Sequence, residues 1–153
     1  MDLDATGLIA AINNLAYRVR SIYNIRCVFS TDPQLENMGN GMTSLHLYYI
    51  AHEAINNAVK HSAADTITIS LLIDNGNLVL SVADNGKGIE KKERKRDSDN
   101  DGRKGGMGLR IMQHRAEMIR ATLEVGGCKP SGTCLRCSVP LVYMSNWQDK
   151  DEL

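Results

Sequence analysis

Within the helix predicted for residues 44–62 lies the sequence His52-Glu53-Ala54-Ile55-Asn56-Asn57-Ala58-Val59-Lys60-His61, which has two different faces. The polar face contains Glu53, Asn57, Lys60 and His61, whose helical spacing places them on one side. The apolar face is formed by Leu47, Tyr48, Ala51, Ile55, Ala58 and Val59. A carboxylate beside a carboxamide on a half-buried helix indicates a ligand site, although a solvated polar stripe is the commoner meaning of this pattern taken alone.

The remaining sequence predicts two further helices and five strands. The apolar residues Leu8, Ile12, Leu15, Val19 and Ile22 recur every three or four positions and predict a helix over residues 6–23, and a third helix is predicted over 109–119. The predicted strands cover residues 25–30, 66–73, 78–83, 122–125 and 133–139, with a loop at 31–43 and a tight Asn-Gly hairpin turn at 75–76. This order predicts an α+β fold in which the helices pack on one face of a sheet.

Composition excludes several classes of protein. The chain has 153 residues, and its 18 Lys and Arg balance its 18 Asp and Glu, which argues against a generally basic nucleic-acid binder. No apolar run approaches the roughly 18 residues of a membrane span, and the first residues lack the order of a signal peptide. The final Lys150-Asp151-Glu152-Leu153 spells a retention signal of the endoplasmic reticulum, but nothing in the sequence predicts entry into that compartment.

The four cysteines are Cys27, Cys128, Cys134 and Cys137. Because no secretory signal accompanies them, we expect reduced, structural thiols rather than disulfides. Cys134 and Cys137 form a C-x-x-C pair in a predicted strand, where residues three apart point to opposite faces. A zinc site would need a second ligand pair, so metal binding by these cysteines is not expected.

Two glycine-rich motifs follow the central helix. Asp84-Asn85-Gly86-Lys87-Gly88-Ile89 ends a predicted strand, where glycines allow a ligand to approach the backbone closely. Gly105-Gly106-Met107-Gly108-Leu109 opens the third helix, whose free N–H groups and dipole favour an anion. Taken alone, an ordinary turn explains the first motif as well and a flexible hinge explains the second. The second motif is neither a P-loop, since no Lys-Ser/Thr follows, nor a dinucleotide fingerprint, since no strand immediately precedes it.

The three motifs in this order resemble the GHKL superfamily, which includes histidine kinases, the gyrase and Hsp90 ATPases, mismatch-repair ATPases and anti-sigma serine kinases. Residues 52–61 are similar to its N box, residues 84–89 to its G1 box and residues 106–109 to its G2 box. The closer resemblance is to the catalytic ATP-binding domain of sensor histidine kinases. Leu45-His46-Leu47-Tyr48 and Arg115-Ala116-Glu117-Met118 resemble the nitrate-sensor-like or DesK-like branch. The resemblance extends over about residues 2–141.

This resemblance implies a two-layer α/β sandwich, the Bergerat ATP-binding fold, with a mixed sheet of about five strands and three helices on one face. We expect residues 1–153 to form one domain, with a charged tail at 144–153. The ATP lid is expected at about residues 90–106. Between residues 87 and 104 there are eight Lys or Arg and five Asp or Glu, and this net positive charge suits a triphosphate.

The resemblance also implies roles at the phosphate end of an ATP site. Asn57 is expected to coordinate Mg²⁺, which prefers few protein oxygens together with phosphate and water. Glu53 is the expected general base, or the group that polarises the attacking imidazole. Lys60 and His61 are expected near phosphate. The G2-box residues Gly106, Met107, Gly108 and Leu109 are expected to bind ATP, with the glycines allowing the lid to close.

At the other end, the resemblance assigns Asp84 as the acceptor for the adenine amino group. Gly86, Gly88 and Ile89 are expected to line the adenine pocket. Thr133, which follows Ser131 and Gly132, is expected to assist the adenine-side hydrogen bonds. The expected ligands are therefore ATP and Mg²⁺.

The four histidines, His46, His52, His61 and His114, do not include an expected phosphoacceptor. The acceptor is expected on the dimerisation domain of the same kinase, with a response regulator downstream and no nucleic acid as partner. The isolated domain is expected to be monomeric and cytoplasmic, and whether its parent protein is membrane-anchored is left open. The alternatives are an ATPase of the Hsp90 or gyrase class, an anti-sigma-type serine kinase, and a non-enzymatic nucleotide-binding module.

Overall fold

The structure is a computed structural model, and it describes residues 7–35, 41–61, 63–87 and 106–143. Three α-helices and five β-strands make up the described part, together with two short 3₁₀ turns. In chain order the elements are α1 Gly7–Tyr23, β1 Arg26–Thr31, the turn Pro33–Leu35, α2 Met42–His61, β2 Thr66–Asp74, β3 Asn77–Asp84, α3 Gly106–Met118, β4 Thr122–Gly127, β5 Thr133–Pro140 and the turn Leu141–Tyr143. Of the lid expected at about residues 90–106, all but Gly106 lies outside the described residues, as does the tail expected at 144–153.

The five strands form one mixed sheet in the order β1-β2-β3-β5-β4. β1 and β2 are parallel, and α2 forms the crossover that a parallel pair requires. The other three pairs are antiparallel. Asn75 and Gly76 close the β2–β3 hairpin with positive φ angles of 50° and 77°, as the predicted two-residue turn requires.

One face of the sheet carries the core. Ile67, Ile69 and Leu71 of β2 are fully buried, and they alternate with exposed or half-buried polar residues on the other face. Burying each such side chain contributes about 1.5–3 kcal/mol of transfer free energy. All three helices contribute to the same core cluster. The α+β sandwich with helices on one face is therefore confirmed. Helix α2 packs against α3 and β3, and the end of β3 lies beside the start of β5.

Three details of the secondary structure differ from the prediction. Ile22 is 68% exposed, because the apolar stripe of α1 extends beyond the elements that cover it. Helix α2 begins at Met42 rather than at residue 44, and the preceding loop buries Leu35 completely. Helix α3 begins at Gly106 rather than at residue 109, because glycine lowers helix stability by about 1 kcal/mol but does not prevent helix formation.

Candidate functional site

The carboxylate of Asp84 is held at the end of β3 by two backbone groups. The N–H of Gly86 donates to Asp84 Oδ1 at 2.9 Å, and the N–H of Thr133 donates to the same oxygen at 3.3 Å. Asp84 Oδ2 has no hydrogen bond within the described part of the chain. The carboxylate is half-buried, so its orientation is fixed while one oxygen stays available to a donor on a ligand.

The loop that connects β4 to β5 packs directly on the end of β3. Gly132 is buried with a φ of +109°, and a Cβ at this position would meet the backbone carbonyl oxygen of Asp84. The hydroxyl of Ser131 donates to the carbonyl oxygen of Asn85 at 3.3 Å. Only a glycine allows this close approach, and it places the Thr133 N–H beside the Asp84 carboxylate.

Asn85 anchors the same end of the sheet, a role the motif did not indicate. Its Oδ1 accepts hydrogen bonds from the N–H groups of Asp65 and Thr66, each at 3.0 Å, and its Nδ2 donates to the Asp65 carboxylate. This side-chain hydrogen bond from Asn85 is the main reason why the pKa of Asp65 is lowered. An Asn directly after a strand-terminal Asp is the only signal in the sequence, and it is a weak one.

Glu53 of α2 lies against the first turn of α3. A Cβ at Gly108 would meet Glu53 Oε1, so the Glu53 carboxylate occupies the space that this glycine leaves open. Asn57 follows one helical turn later on the same side of α2, and both side chains are half-buried. The structure thus brings Glu53, with Asn57 one turn further along the same side of α2, towards the start of α3, where free N–H groups favour an anion.

Most of the other predicted site residues lie in the last turn of α2 and the first turn of α3. Lys60 and His61 are exposed in the last turn of α2, beyond Asn57. Gly106 is the first residue of α3, Met107 is exposed and Leu109 packs against the core. Gly88 and Ile89 lie outside the described residues. The residues predicted for the adenine end and those predicted for the phosphate end therefore belong to adjoining elements, β3 and β5 for the former and α2 and α3 for the latter.

The donor set around Asn57 fits a magnesium ion only in the presence of phosphate. Among the described residues, no group of three His, Cys, Asp or Glu side chains could hold a metal. Asn57 would therefore supply one oxygen and Glu53 another at most, while phosphate and water complete the shell, which is the pattern that Mg²⁺ accepts. Searched over the same residues, no helix is both long and apolar enough to cross a membrane.

His46 of α2 contacts α3 and is one of the residues that line a surface groove. The Arg115 guanidinium lies 3.3 Å from His46 Nδ1 and 4.3 Å from the centre of the Tyr49 ring. Because arginine only donates, Nδ1 accepts, and the neutral imidazole carries its proton on Nε2. Nε2 is buried and has no hydrogen bond to another described residue. Burial, with the nearby charges of Arg115 and His114, lowers the pKa of His46.

The lowered pKa of His46 predicts a loss of stability in mild acid. The unfolded chain binds the proton near the ordinary pKa of 6.5 and the folded chain only at lower pH, so the free energy of unfolding falls as the pH is lowered through this window. We expect urea unfolding between pH 7.5 and 5 to show a shallower decline in His46→Gln than in the wild type. His61→Gln, at an exposed position, should keep the wild-type slope. Equal slopes in the wild type and His46→Gln would contradict the account.

One prediction about the cysteines was wrong. Cys128 and Cys134 form a disulfide, with Cα atoms 5.4 Å apart, whereas Cys27 and Cys137 are free and buried. The β4–β5 hairpin brings the first pair within bonding range, which sequence spacing alone does not reveal. Cys137 points into the core and Cys134 does not, so the prediction that the C-x-x-C residues occupy opposite faces is confirmed.

Comparison with known protein families identifies the family to which the chain belongs. Residues 42–143 match the model of a family described as histidine kinase-, DNA gyrase B- and HSP90-like ATPase. The chain belongs to this ATPase family. The match begins at the first residue of α2 and ends with the turn after β5, so it includes all the described site residues.

Relatives of this ATPase-family chain include sensor histidine kinases. It is 30% identical over 92% of its length to the signal transduction histidine-protein kinase/phosphatase DegS of Bacillus subtilis, covering 36% of that protein. It is 29% identical over 91% of its length to the oxygen sensor histidine kinase NreB of Staphylococcus carnosus, covering 38% of that protein. The chain thus spans a little over a third of these two relatives.

Solved structures support the same fold for the ATPase-family domain. The histidine kinase domain of the Erythrobacter litoralis EL346 blue-light activated histidine kinase has a TM-score of 0.68 and 22% identity, covering 90% of this chain and 67% of that one. The catalytic domain of histidine kinase ThkA has a TM-score of 0.68 and 16% identity, covering 92% of this chain and 95% of that one. The five-stranded mixed sheet and three helices are therefore those of histidine kinase ATPase domains.

Proposed function

We propose that this chain is the ATP-binding catalytic domain of a two-component sensor histidine kinase. It binds Mg-ATP and transfers the γ-phosphoryl group to a histidine on the dimerisation domain of the same kinase. A response regulator is the proposed downstream partner, and the parent protein is proposed to be membrane-anchored with this domain on the cytoplasmic side. The observation that carries the proposal is the Asp84 carboxylate, which is oriented by two N–H groups and keeps one oxygen for an adenine amino donor.

The adenine end follows from what surrounds Asp84. Its Oδ1 is occupied by the N–H groups of Gly86 and Thr133, so its Oδ2 accepts from the exocyclic amino group of ATP. Gly86 is buried and lets the base approach the backbone. Gly88 and Ile89 are proposed to complete this pocket, and Thr133 contributes through its backbone N–H. An oriented acceptor rejects bases that lack the amino donor, because the oxygen that such a base covers would then be unpaired.

The phosphate end follows from the contact between α2 and α3. Asn57 supplies an oxygen for Mg²⁺, which when bound neutralises phosphate charge. The first turn of α3, residues Gly106 to Leu109, offers N–H groups to the phosphates. Lys60 and His61 are exposed beyond Asn57, where Lys60 is proposed to add positive charge and His61 a polar ring near the phosphates. Residues 90–105 are proposed to form the lid over them.

Glu53 is the proposed general base. Its carboxylate lies against Gly108, at the end of the site where the γ-phosphate is proposed to lie. There it accepts the proton of the incoming imidazole or polarises that ring through a hydrogen bond, which makes the attacking nitrogen a better nucleophile. The remainder of the reaction depends on positioning and charge stabilisation of a loose phosphoryl group.

The function is tested by phosphotransfer in trans. Wild-type chain, Mg²⁺ and ATP labelled at the γ-phosphate are mixed with a purified dimerisation domain of a sensor histidine kinase, and acid-labile phosphohistidine is measured. Label on that domain is the expected result. Steady release of phosphate without an acceptor would favour the Hsp90 or gyrase class, and acid-stable phosphoserine would favour an anti-sigma-type kinase. ATP binding without either activity would indicate a non-enzymatic binding module.

Asn57→Asp is expected to separate the two ends of the site. The added negative charge opposes the phosphates, so ATP affinity should fall about tenfold, which corresponds to about 1.4 kcal/mol. Adenosine has no phosphate, so its affinity should stay within about twofold of the wild type. Isothermal titration with both ligands measures the difference, and Asn13→Asp on the exposed side of α1 is the matched control. An equal loss for adenosine and ATP would remove Asn57 from the phosphate end.

A further inference from the structure

We propose that the Cys128–Cys134 disulfide is a reversible positioning element of the adenine pocket, so that nucleotide affinity depends on the thiol redox state. The proposal rests on the proposed function of Asp84 as the adenine acceptor. The disulfide closes the loop between β4 and β5, with its cysteines six positions apart. This loop supplies one of the two hydrogen bonds that orient the Asp84 carboxylate.

Three contacts connect the disulfide to Asp84. Cys134 is paired in the sheet with Ala83, the residue directly before Asp84. Thr133, directly before Cys134, donates its N–H to Asp84 Oδ1. Gly132, one residue further back, packs on the Asp84 carbonyl with no room for a Cβ. A displacement of Cys134 therefore moves both the strand pairing next to Asp84 and the donor to its carboxylate.

The other half of the disulfide holds the far side of the loop. The N–H of Cys128 donates to the carbonyl oxygen of Gly132 at 3.0 Å, and this is the backbone hydrogen bond that spans the loop beyond the strand pairs. Glycines at positions 126, 127 and 132 flank this segment and widen the choice of backbone conformations at its two ends when it is not cross-linked, whereas Pro130 restricts its centre. The covalent bond limits that choice.

The two pairs of cysteines differ in burial, and this difference makes the oxidation selective. Cys27 and Cys137 are buried, and burial raises the pKa of both thiols, that of Cys137 to about 12. Cys128 and Cys134 are only half-buried. Since the thiolate is the form that exchanges, accessible cysteines react while buried ones stay inert. Cys137, although three residues from Cys134, faces the opposite side of the sheet and cannot replace it.

The exchange partner is a low-molecular-weight disulfide. One cysteine thiolate attacks this disulfide, which forms a mixed disulfide and releases one small thiol. The second protein thiolate then attacks the protein sulfur of the mixed disulfide, which forms the Cys128–Cys134 bond and releases the second small thiol. Two electrons pass from the protein to the small disulfide. Reduction is the reverse reaction, with two small thiols converted to one disulfide.

Reduction is expected to weaken ATP binding by about three- to tenfold. If the reduced loop keeps the Asp84-binding arrangement for about a third to a tenth of the time, the apparent affinity falls by the same factor. The fold is expected to persist, because β4 and β5 remain paired from Thr122 to Val125 and from Leu135 to Ser138, while the two pairs next to the loop, Gly126 with Cys134 and Gly127 with Thr133, loosen.

The experiment uses the full chain in buffers of increasing oxidised-to-reduced glutathione ratio. ATP affinity is measured by titration, and mass spectrometry counts the disulfide after alkylation. We expect the affinity of the wild type to rise as the disulfide forms. Cys128→Ser and Cys134→Ser should each stay at the reduced value throughout, while Cys27→Ala, in which the pair is intact, should follow the wild type.

Two outcomes would overturn this inference alone: an ATP affinity that is equal in the reduced and oxidised wild type, or no Cys128–Cys134 disulfide at any ratio. Absence of ATP binding in both redox states would instead contradict the proposed function. Circular dichroism of the serine variants separates loss of the cross-link from loss of the fold.

Discussion

Asp84→Asn is expected to weaken ATP binding by about 100-fold, because this carboxylate accepts from donors on both sides. On one side, the N–H groups of Gly86 and Thr133 point to Oδ1. On the other, the proposed adenine amino group donates to Oδ2. An amide has one accepting oxygen and one donating nitrogen, so asparagine satisfies one side only. If the amide oxygen faces Gly86 and Thr133, the amide NH₂ group faces the adenine amino group. If the amide is turned round, its NH₂ group faces the two backbone N–H groups, so in both orientations a donor faces a donor.

The matched control is Asp74→Asn, which makes the same chemical change at the turn end of the β2–β3 hairpin, whereas Asp84 lies at its open end. Asp74 is exposed and forms an ion pair with Arg136 at 3.4 Å, so its loss should leave ATP affinity within about twofold of the wild type. Isothermal titration of the two variants against the wild type measures the effect. Unchanged affinity in Asp84→Asn, with a native circular dichroism spectrum, would be incompatible with the adenine assignment.

Glu53→Gln is expected to reduce phosphotransfer by about 100- to 10,000-fold with ATP affinity nearly unchanged. Glutamine fills the same space beside Gly108, so the contact between α2 and α3 is kept. It cannot accept the imidazole proton at neutral pH, and its weaker dipole polarises the ring less. The change therefore acts on the reaction and not on binding, which distinguishes it from Asp84→Asn.

Transfer of label to a dimerisation domain in trans measures this prediction, and titration with ATP measures binding in parallel. Glu117→Gln is the matched control, because Glu117 is an exposed carboxylate on α3. If Glu53→Gln transfers phosphate at the wild-type rate, Glu53 has no part in the chemistry. If it loses ATP affinity as well, the residue acts mainly in binding.

Much of the fold could be predicted because its signals are local. The two-residue Asn75–Gly76 turn needs positive φ angles that few residue pairs adopt, so this pair alone predicts the hairpin. The sequence also predicts the strand β2 and the apolar face of α2, which the structure buries. Ile22 shows the limit of such patterns, because periodicity reports which residues share a face and not how far the covering surface extends.

The residues of the candidate site could be predicted individually, but the hydrogen bonds that join them could not. The motif order indicated Asp84, Glu53 and Asn57, but the backbone donors to Asp84 come from residues 2 and 49 positions away. The second of these depends on a glycine at 132 that fits against a carbonyl oxygen, which only the folded chain reveals. The Cys128–Cys134 disulfide and the contact of His46 with Arg115 arise in the same way, from residues that the sheet and the helix pair bring together.

We propose that this chain holds ATP through Asp84 at one end and through a magnesium-dependent phosphate site at the other. The most direct test is isothermal titration of the wild-type chain with ATP, with and without Mg²⁺. We expect saturable binding of one ATP per chain that is tighter in the presence of Mg²⁺. A folded chain that binds no ATP at millimolar concentration under either condition would contradict it.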